Sequence, residues 1–183
     1  MLFRMSNKKI AVVVGSNSSQ SLNRKVAEAL VKLFPSGNQF NFVPIGDLPL
    51  YSQDQDANPP KSVVEFREAI SSSDAVIFVT PEYNRSIPGV LKNAIDHGSR
   101  PYGKSVWAGK PAGVLGASPG AIGSGIAQQH LRPILAYLDM PTLNQPEVYL
   151  QVKEGTFNED GSFNEGTAKF LQNWVDAFLA FIK

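Results

Sequence analysis

The chain repeatedly sets a short, unbroken apolar run before a stretch of about ten to fifteen residues in which apolar positions recur every three or four. The first run, IAVVV at 10–14, has no polar alternation, as in a strand covered on both faces. Over 21–34, Leu22, Val26, Ala29, Leu30 and Leu33 fall on one helical stripe, which Pro35 and Gly37 close. The unit then recurs: FNFVPI at 40–45 predicts a strand, 60–73 a helix opened by Pro59 and Pro60, and DAVIFVT at 74–80 another buried strand. Next come a helix over 88–99 with proline in its first turn, where a missing N–H costs nothing, and a strand over 111–118. The helical pattern of 125–138 contains Pro133, which predicts a kink or a local break. A fifth strand is expected within 140–151 and a closing amphipathic helix over 166–183, separated by a polar, glycine-rich turn region.

Strands alternating with helices define βαβ units, and right-handed crossovers then place helices on both faces of a parallel sheet. Five strands and five helices suit one doubly wound α/β domain spanning 1–183, with strand order 2-1-3-4-5 and residues 1–9 frayed. In such sheets ligands lie beyond the carboxyl ends of the strands, where the strand order reverses. That singles out the loops after strands 1, 3 and 4.

Composition narrows the chemistry. Zero cysteines among 183 residues exclude a disulfide scaffold, a thiolate nucleophile, an iron–sulfur cluster and cysteine-type zinc sites, and fit a reducing compartment. No metal site is expected. With 17 Lys and Arg against 16 Asp and Glu, the chain lacks the basic footprint of a nucleic-acid binder. The opening MLFRMSNKKIAVVVGS carries neither a membrane-spanning run nor a secretory leader, so a soluble cytoplasmic protein is expected.

The first loop, GSNSSQSLN at 15–23, lets the chain leave the strand tightly at Gly15. It sets Ser16, Ser18, Ser19 and Ser21 before a helix whose first N–H groups are unpaired and partly positive. Such a site suits a phosphate, although serines there also simply cap helices. It is neither a G-x-G-x-x-G fingerprint nor a G-K-[ST] phosphate loop. In the second loop, Pro81 ends the strand and Pro88 begins the helix, leaving a rigid shelf that carries Glu82, Tyr83, Asn84, Arg85 and Ser86. A planar ligand docking on a rigid shelf loses less entropy. The competing reading is a Glu82–Arg85 ion pair with Tyr83 in the core. The third loop, GASPGAIGSG at 116–125, is rich in glycine and serine, so backbone can approach a ligand closely.

GS with SLN behind it, PLY at 49–51, TPEYNRSIPGVLKNAID and HLRPIL resemble the NADPH-dependent FMN reductases of flavodoxin-like fold, which include quinone, azo-dye and chromate reductases. The PEYN segment with its following helix is the most specific element of a resemblance covering about residues 10–150. It implies noncovalent FMN, with the phosphate near Ser16, Ser18, Ser21, Leu22 and Asn23. The isoalloxazine would rest on Pro81, Glu82, Tyr83 and Asn84, with Ser118 and Gly120 on the other side. It also implies a homodimer or a dimer of dimers whose cleft is lined partly by the PLY loop. Arg85 and Tyr51 become candidates for the nicotinamide nucleotide or the acceptor, with an ion pair across the dimer as the other reading of Arg85.

The chain departs from the family pattern at Ser18, where an arginine is common, which leaves the phosphate to hydroxyls and the helix terminus and implies weaker FMN binding. His97 stands where tryptophan is frequent and reads as structural. His130 lacks a matched nucleophile and reads the same way. The expected reaction is a ping-pong transfer of reducing equivalents from NADPH or NADH through FMN to a quinone or another small acceptor, including chromate, azo compounds or free flavin. The alternatives are an electron-transfer flavodoxin, usually markedly acidic, and a partner-binding protein that has kept only the fold.

Overall fold

A computed structural model describes residues 7–183. The elements alternate as β1 (Lys9–Val14), α1 (Leu22–Val31), β2 (Gln39–Phe42), α2 (Lys61–Ser71), β3 (Ala75–Val79), α3 (Gly89–Gly98), β4 (Ala112–Ser118), α4 (Gly125–Tyr137), β5 (Tyr149–Gln151) and α5 (Glu165–Phe181). All neighbouring strands pair in parallel, in the order β2-β1-β3-β4-β5. Val14 pairs with Val79 and Val79 with Leu115, so the carboxyl ends of β1, β3 and β4 finish side by side.

The unbroken apolar runs follow from burial on both faces. Ile10, Val12 and Val14 enter a core with Val26 and Leu30 of α1 and Trp174 and Phe178 of α5. The alternate residues Ala11 and Val13 enter a second core with Phe66 of α2, Leu91 of α3 and Leu131 of α4. Trp174 and Phe178 stack at 5.1 Å, one helical turn apart, and close the first core.

Several expected boundaries differ. Fraying does not extend through residue 9: Lys9 belongs to β1 and Lys8 accepts a backbone hydrogen bond from Gln39 at 2.8 Å, while residues 1–6 lie outside the described residues. β2 stops at Phe42; Val43 N–H still donates to Val12 O at 3.0 Å before Pro44, whose ring fixes its backbone angle, interrupts the extended run. The fifth strand keeps only Tyr149–Gln151; upstream, Thr142 makes an isolated bridge to Ala112 between Pro141 and Pro146. Pro133 does not break its helix, since α4 runs from Gly125 to Tyr137 with Pro133 inside it. Leu131 and Leu135 are fully buried on either side, and their packing outweighs one missing backbone bond. A 3-10 turn at Gln53–Gln55, capped by Ser52, lacked a periodic signal.

Candidate active site at the carboxyl ends of β1, β3 and β4

The three loops expected to bear chemistry leave the sheet at one rim, and the first is drawn tightly to the second. A Cβ on Gly15 would lie 3.1 Å from both Thr80 Oγ1 and Leu91 Cδ2, so the turn out of β1 is pressed against β3 and α3. Beyond it, Ser18 N–H donates to Ser16 Oγ (3.3 Å) and Gln20 N–H to Ser18 Oγ (3.2 Å), so the serines shape the loop themselves. Ser21 is the N-cap of α1 and accepts from Arg24 N–H at 3.2 Å. Leu22 and Asn23 occupy the first helical turn, where N–H groups have no partner within the helix, and no acidic residue shares that turn. Ser21 thus meets the capping reading of the serines, and the first turn of α1 holds N–H groups without a partner inside the helix.

Asn23 departs from the expected picture. Its side chain is buried, with Oδ1 accepting from Ala117 N–H and Nδ2 donating to Ala117 O, both at 2.9 Å. The amide thus clamps the start of α1 to the end of β4, and Asn23 can reach an anion only through its backbone N–H.

The second loop is built as a two-residue hairpin turn. Tyr83 and Ser86 exchange two backbone hydrogen bonds, each 3.0 Å, and the central residues Asn84 and Arg85 have φ of 51° and 64°. Positive φ at both central positions defines the primed turn that tight hairpins favour. Tyr83 stays 51% exposed instead of filling the core. Arg85 does pair with Glu82, Nη1 to Oε1 at 3.1 Å, but Glu82 is not solvated: its other oxygen accepts from Ile126 and Ala127 N–H at the start of α4. His130 Nδ1 lies 3.1 Å from Ser86 Oγ on an exposed face of α4, tying the turn to that helix a second time.

The third loop leaves β4 at Ser118, whose hydroxyl donates to Gly120 O at 3.0 Å. Gly116 has no alternative in this packing, since a Cβ there would come within 2.0 Å of Thr80 O. Ser124 and Gln128 lie buried behind the loop, with Gln128 Nε2 donating to Ser124 Oγ (3.1 Å) and Val148 O (2.8 Å).

Beside this rim, α3 anchors the 49–51 segment. Asn93 Nδ2 and His97 Nε2 both reach Pro49 O at 2.8 Å, and Tyr51 N–H donates to Asn93 Oδ1 at 2.8 Å. His97 is buried and T-shaped against Tyr51, a structural role as expected. Burial pushes the Tyr51 hydroxyl above the usual phenol range; Arg100 opposes the rise and the Asp56 carboxylate adds to it. Tyr51 therefore remains a protonated donor at neutral pH.

The structure thus brings Ser16, Ser18, Ser21, Leu22, Asn23, Pro81, Glu82, Tyr83, Asn84, Ser118 and Gly120 to one rim, with Arg85 on its outer turn and Tyr51 on the neighbouring segment. Sequence reasoning missed Asn93, Ser124 and Gln128. Asn93 and His97 stand four apart on α3, a spacing that puts both on one helical face and could have exposed the anchor for 49–51.

A five-stranded doubly wound parallel sheet in the order β2-β1-β3-β4-β5, with three loops gathered at the carboxyl ends of β1, β3 and β4, defines a flavodoxin-like class. The chain belongs to the NADPH-dependent FMN reductase family, whose description it matches over residues 8–155. It is on that ground an oxidoreductase working with FMN and NAD(P)H. It is 51% identical over 176 residues to a 2-hydroxy-1,4-benzoquinone reductase of Burkholderia sp, covering 96% of each chain. A quinone reductase of Pseudomonas putida is 53% identical over 175 residues, covering 95% of this chain and 94% of that one. Among solved structures, the NAD(P)H:(acceptor) oxidoreductase FerB of Paracoccus denitrificans superposes with a TM-score of 0.92 at 47% identity, covering 96% and 97% of the two chains.

Proposed function

We propose that the chain reduces small quinones, with FMN held noncovalently across the three loops. The carrying observation is the juxtaposition at one rim of the open first turn of α1, the rigid turn after β3 and the side-chain-poor loop after β4. A molecule with one anionic end and one planar end fits that arrangement. The phosphate is assigned to the Leu22 and Asn23 N–H groups and the Ser16, Ser18 and Ser21 hydroxyls, and the ring to Pro81–Asn84 on one side and Ser118 and Gly120 on the other. When bound, FMN would supply the two-electron hydride chemistry between NAD(P)H and the acceptor.

The protein's own part is positional and electrostatic. The backbone N–H groups of Asn84 and of the loop after β4 are assigned to favour developing negative charge on the ring without any proton transfer. Arg85 projects from the turn and is assigned to the phosphates of the nicotinamide nucleotide. Tyr83, half exposed beside it, offers an aromatic face to the incoming ring. The open rim leaves access for several small oxidants, so chromate, azo compounds and free flavin are further acceptors to test.

The assembly we propose is a homodimer built on the groove between α3 and α4. This groove, about 530 Å³, is lined by Ile95, Pro133, Ile134 and Tyr137, with Tyr51 at its margin. Tyr137 and Leu50 are almost fully exposed, as expected of residues that a second copy covers. The described residues 7–183 are read as one domain because one sheet and its two flanking cores account for the strands and long helices. A reducing, NAD(P)H-supplied compartment suits a cysteine-free chain, and the cytoplasm is the proposed location. Among the described residues no helix is long and apolar enough to cross a membrane.

Anaerobic mixing of the FMN-loaded protein with NADPH, followed by addition of 1,4-benzoquinone, tests the activity. Prompt loss of the flavin absorbance and its return with quinone are expected. A flavin band that ignores both NADPH and NADH would make the protein an electron carrier instead.

A further inference from the structure

Helix α4 begins without a cap of its own. Its N-cap residue, Ser124, is left-handed at φ 67° and makes no capping bond; its hydroxyl accepts from Gln128 instead. The next N–H groups are nonetheless satisfied. Glu82 Oε2, from the turn after β3, accepts from Ile126 N–H at 3.0 Å and Ala127 N–H at 3.1 Å. The Glu82 side chain is only 9% exposed, and its remaining oxygen is held by Arg85. Both carboxylate oxygens are therefore engaged within the protein.

We infer that Glu82 is a positioning residue: a cap supplied from another loop that locks the 81–86 turn to the loop after β4. Two consequences follow from the geometry. The hydrogen bonds to Ile126 and Ala127 fix the exit of the 118–124 loop relative to Tyr83 and Asn84, which sets the gap between the two walls of the cradle. The carboxylate also offsets the partial positive charge at the start of α4, while the start of α1, without an acidic residue in its first turn, stays open. Two helix N-termini thus meet at one rim, one closed by the protein and one free for an anion. A ligand with one anionic end is therefore oriented with that end on α1. The orientation argument rests on the FMN reading; the cap itself does not.

The test compares Glu82→Ala, Glu82→Gln and Arg85→Ala. Amide hydrogen exchange at Ile126 and Ala127 is read in flavin-free protein, and FMN affinity by fluorescence quenching. Glu82→Ala is expected to speed exchange at both amides by at least about tenfold, equivalent to ~1.4 kcal/mol, and to weaken FMN binding by a similar factor. Glu82→Gln, whose amide oxygen can accept the same two bonds, is expected to restore protection and most of the affinity. Arg85→Ala is expected to leave both amides protected, which separates the cap from the ion pair. Unchanged exchange in Glu82→Ala overturns the cap, as does a Glu82→Gln protein as unprotected as Glu82→Ala. Released amides with an FMN dissociation constant within about twofold of wild type overturn the positioning role. Should Glu82→Ala not fold, Glu82→Ser, whose hydroxyl is too short to reach either amide, takes its place with the same expected release. A wild-type protein that binds no FMN removes the flavin reading, while the exchange data continue to judge the cap.

Discussion

Asn84 and Arg85 both adopt left-handed backbone conformations, which side chains other than glycine enter at a cost of about 1 kcal/mol or more. The cost is met by the paired hydrogen bonds between Tyr83 and Ser86 and by the Arg85–Glu82 ion pair, so the turn is fixed before any ligand arrives. Ser18 shows the opposite economy. It lies exposed in the loop at the edge of a cleft of about 510 Å³, and its hydroxyl accepts from Gln20 N–H. Ser18→Arg adds a guanidinium beside the anion-receptive turn and is expected to tighten FMN binding about tenfold, as a charge-assisted hydrogen bond would. An unchanged or weaker dissociation constant in a fluorescence titration would contradict the phosphate assignment. At this scale the sequence reveals residue types but not partners. Asn23 pairs with a backbone 94 positions away and Glu82 with one 44 positions away, so neither commitment leaves a local pattern.

Helix α1 and strand β4 are joined by the Asn23 clamp, which fixes the first loop to the third as Glu82 fixes the second to the third. Replacing Asn23 by Ala strands the buried N–H and C=O of Ala117, and the lost pair of hydrogen bonds should cost about 2–4 kcal/mol. Urea unfolding of the flavin-free protein measures this directly. A change below about 0.5 kcal/mol would mean that water or a local shift replaces the clamp. The elements were mostly legible because doubly buried strands and amphipathic helices write different periods. Where legibility failed, prolines were the reason. Pro44, Pro141 and Pro146 lie where two expected strands were cut short, whereas Pro133 was absorbed because α4 is anchored by core residues on both sides.

Across the whole molecule, the strand order reverses between β1 and β3, and there three loops from distant parts of the chain are cross-tied into one rim. The alternation of elements made this architecture readable, and the resemblance around PEYN pointed to the same rim; the cross-ties join residues too far apart in the chain to leave a local pattern. The proposed dimer groove was not readable from periodicity, since Tyr137, 87% exposed, sits on a helix whose core-facing stripe lies elsewhere. Tyr137→Glu places a charge in that groove and is expected to raise the dimer dissociation constant at least about tenfold in sedimentation equilibrium. A mass distribution identical to wild type would move the interface elsewhere. The central claim, that the rim is a flavin mononucleotide cradle, is tested most directly by titrating FMN into flavin-free protein while recording fluorescence and the visible spectrum. Saturable binding at one FMN per chain with a perturbed flavin band is predicted; fluorescence and spectrum unchanged from free FMN at high protein concentration would contradict it.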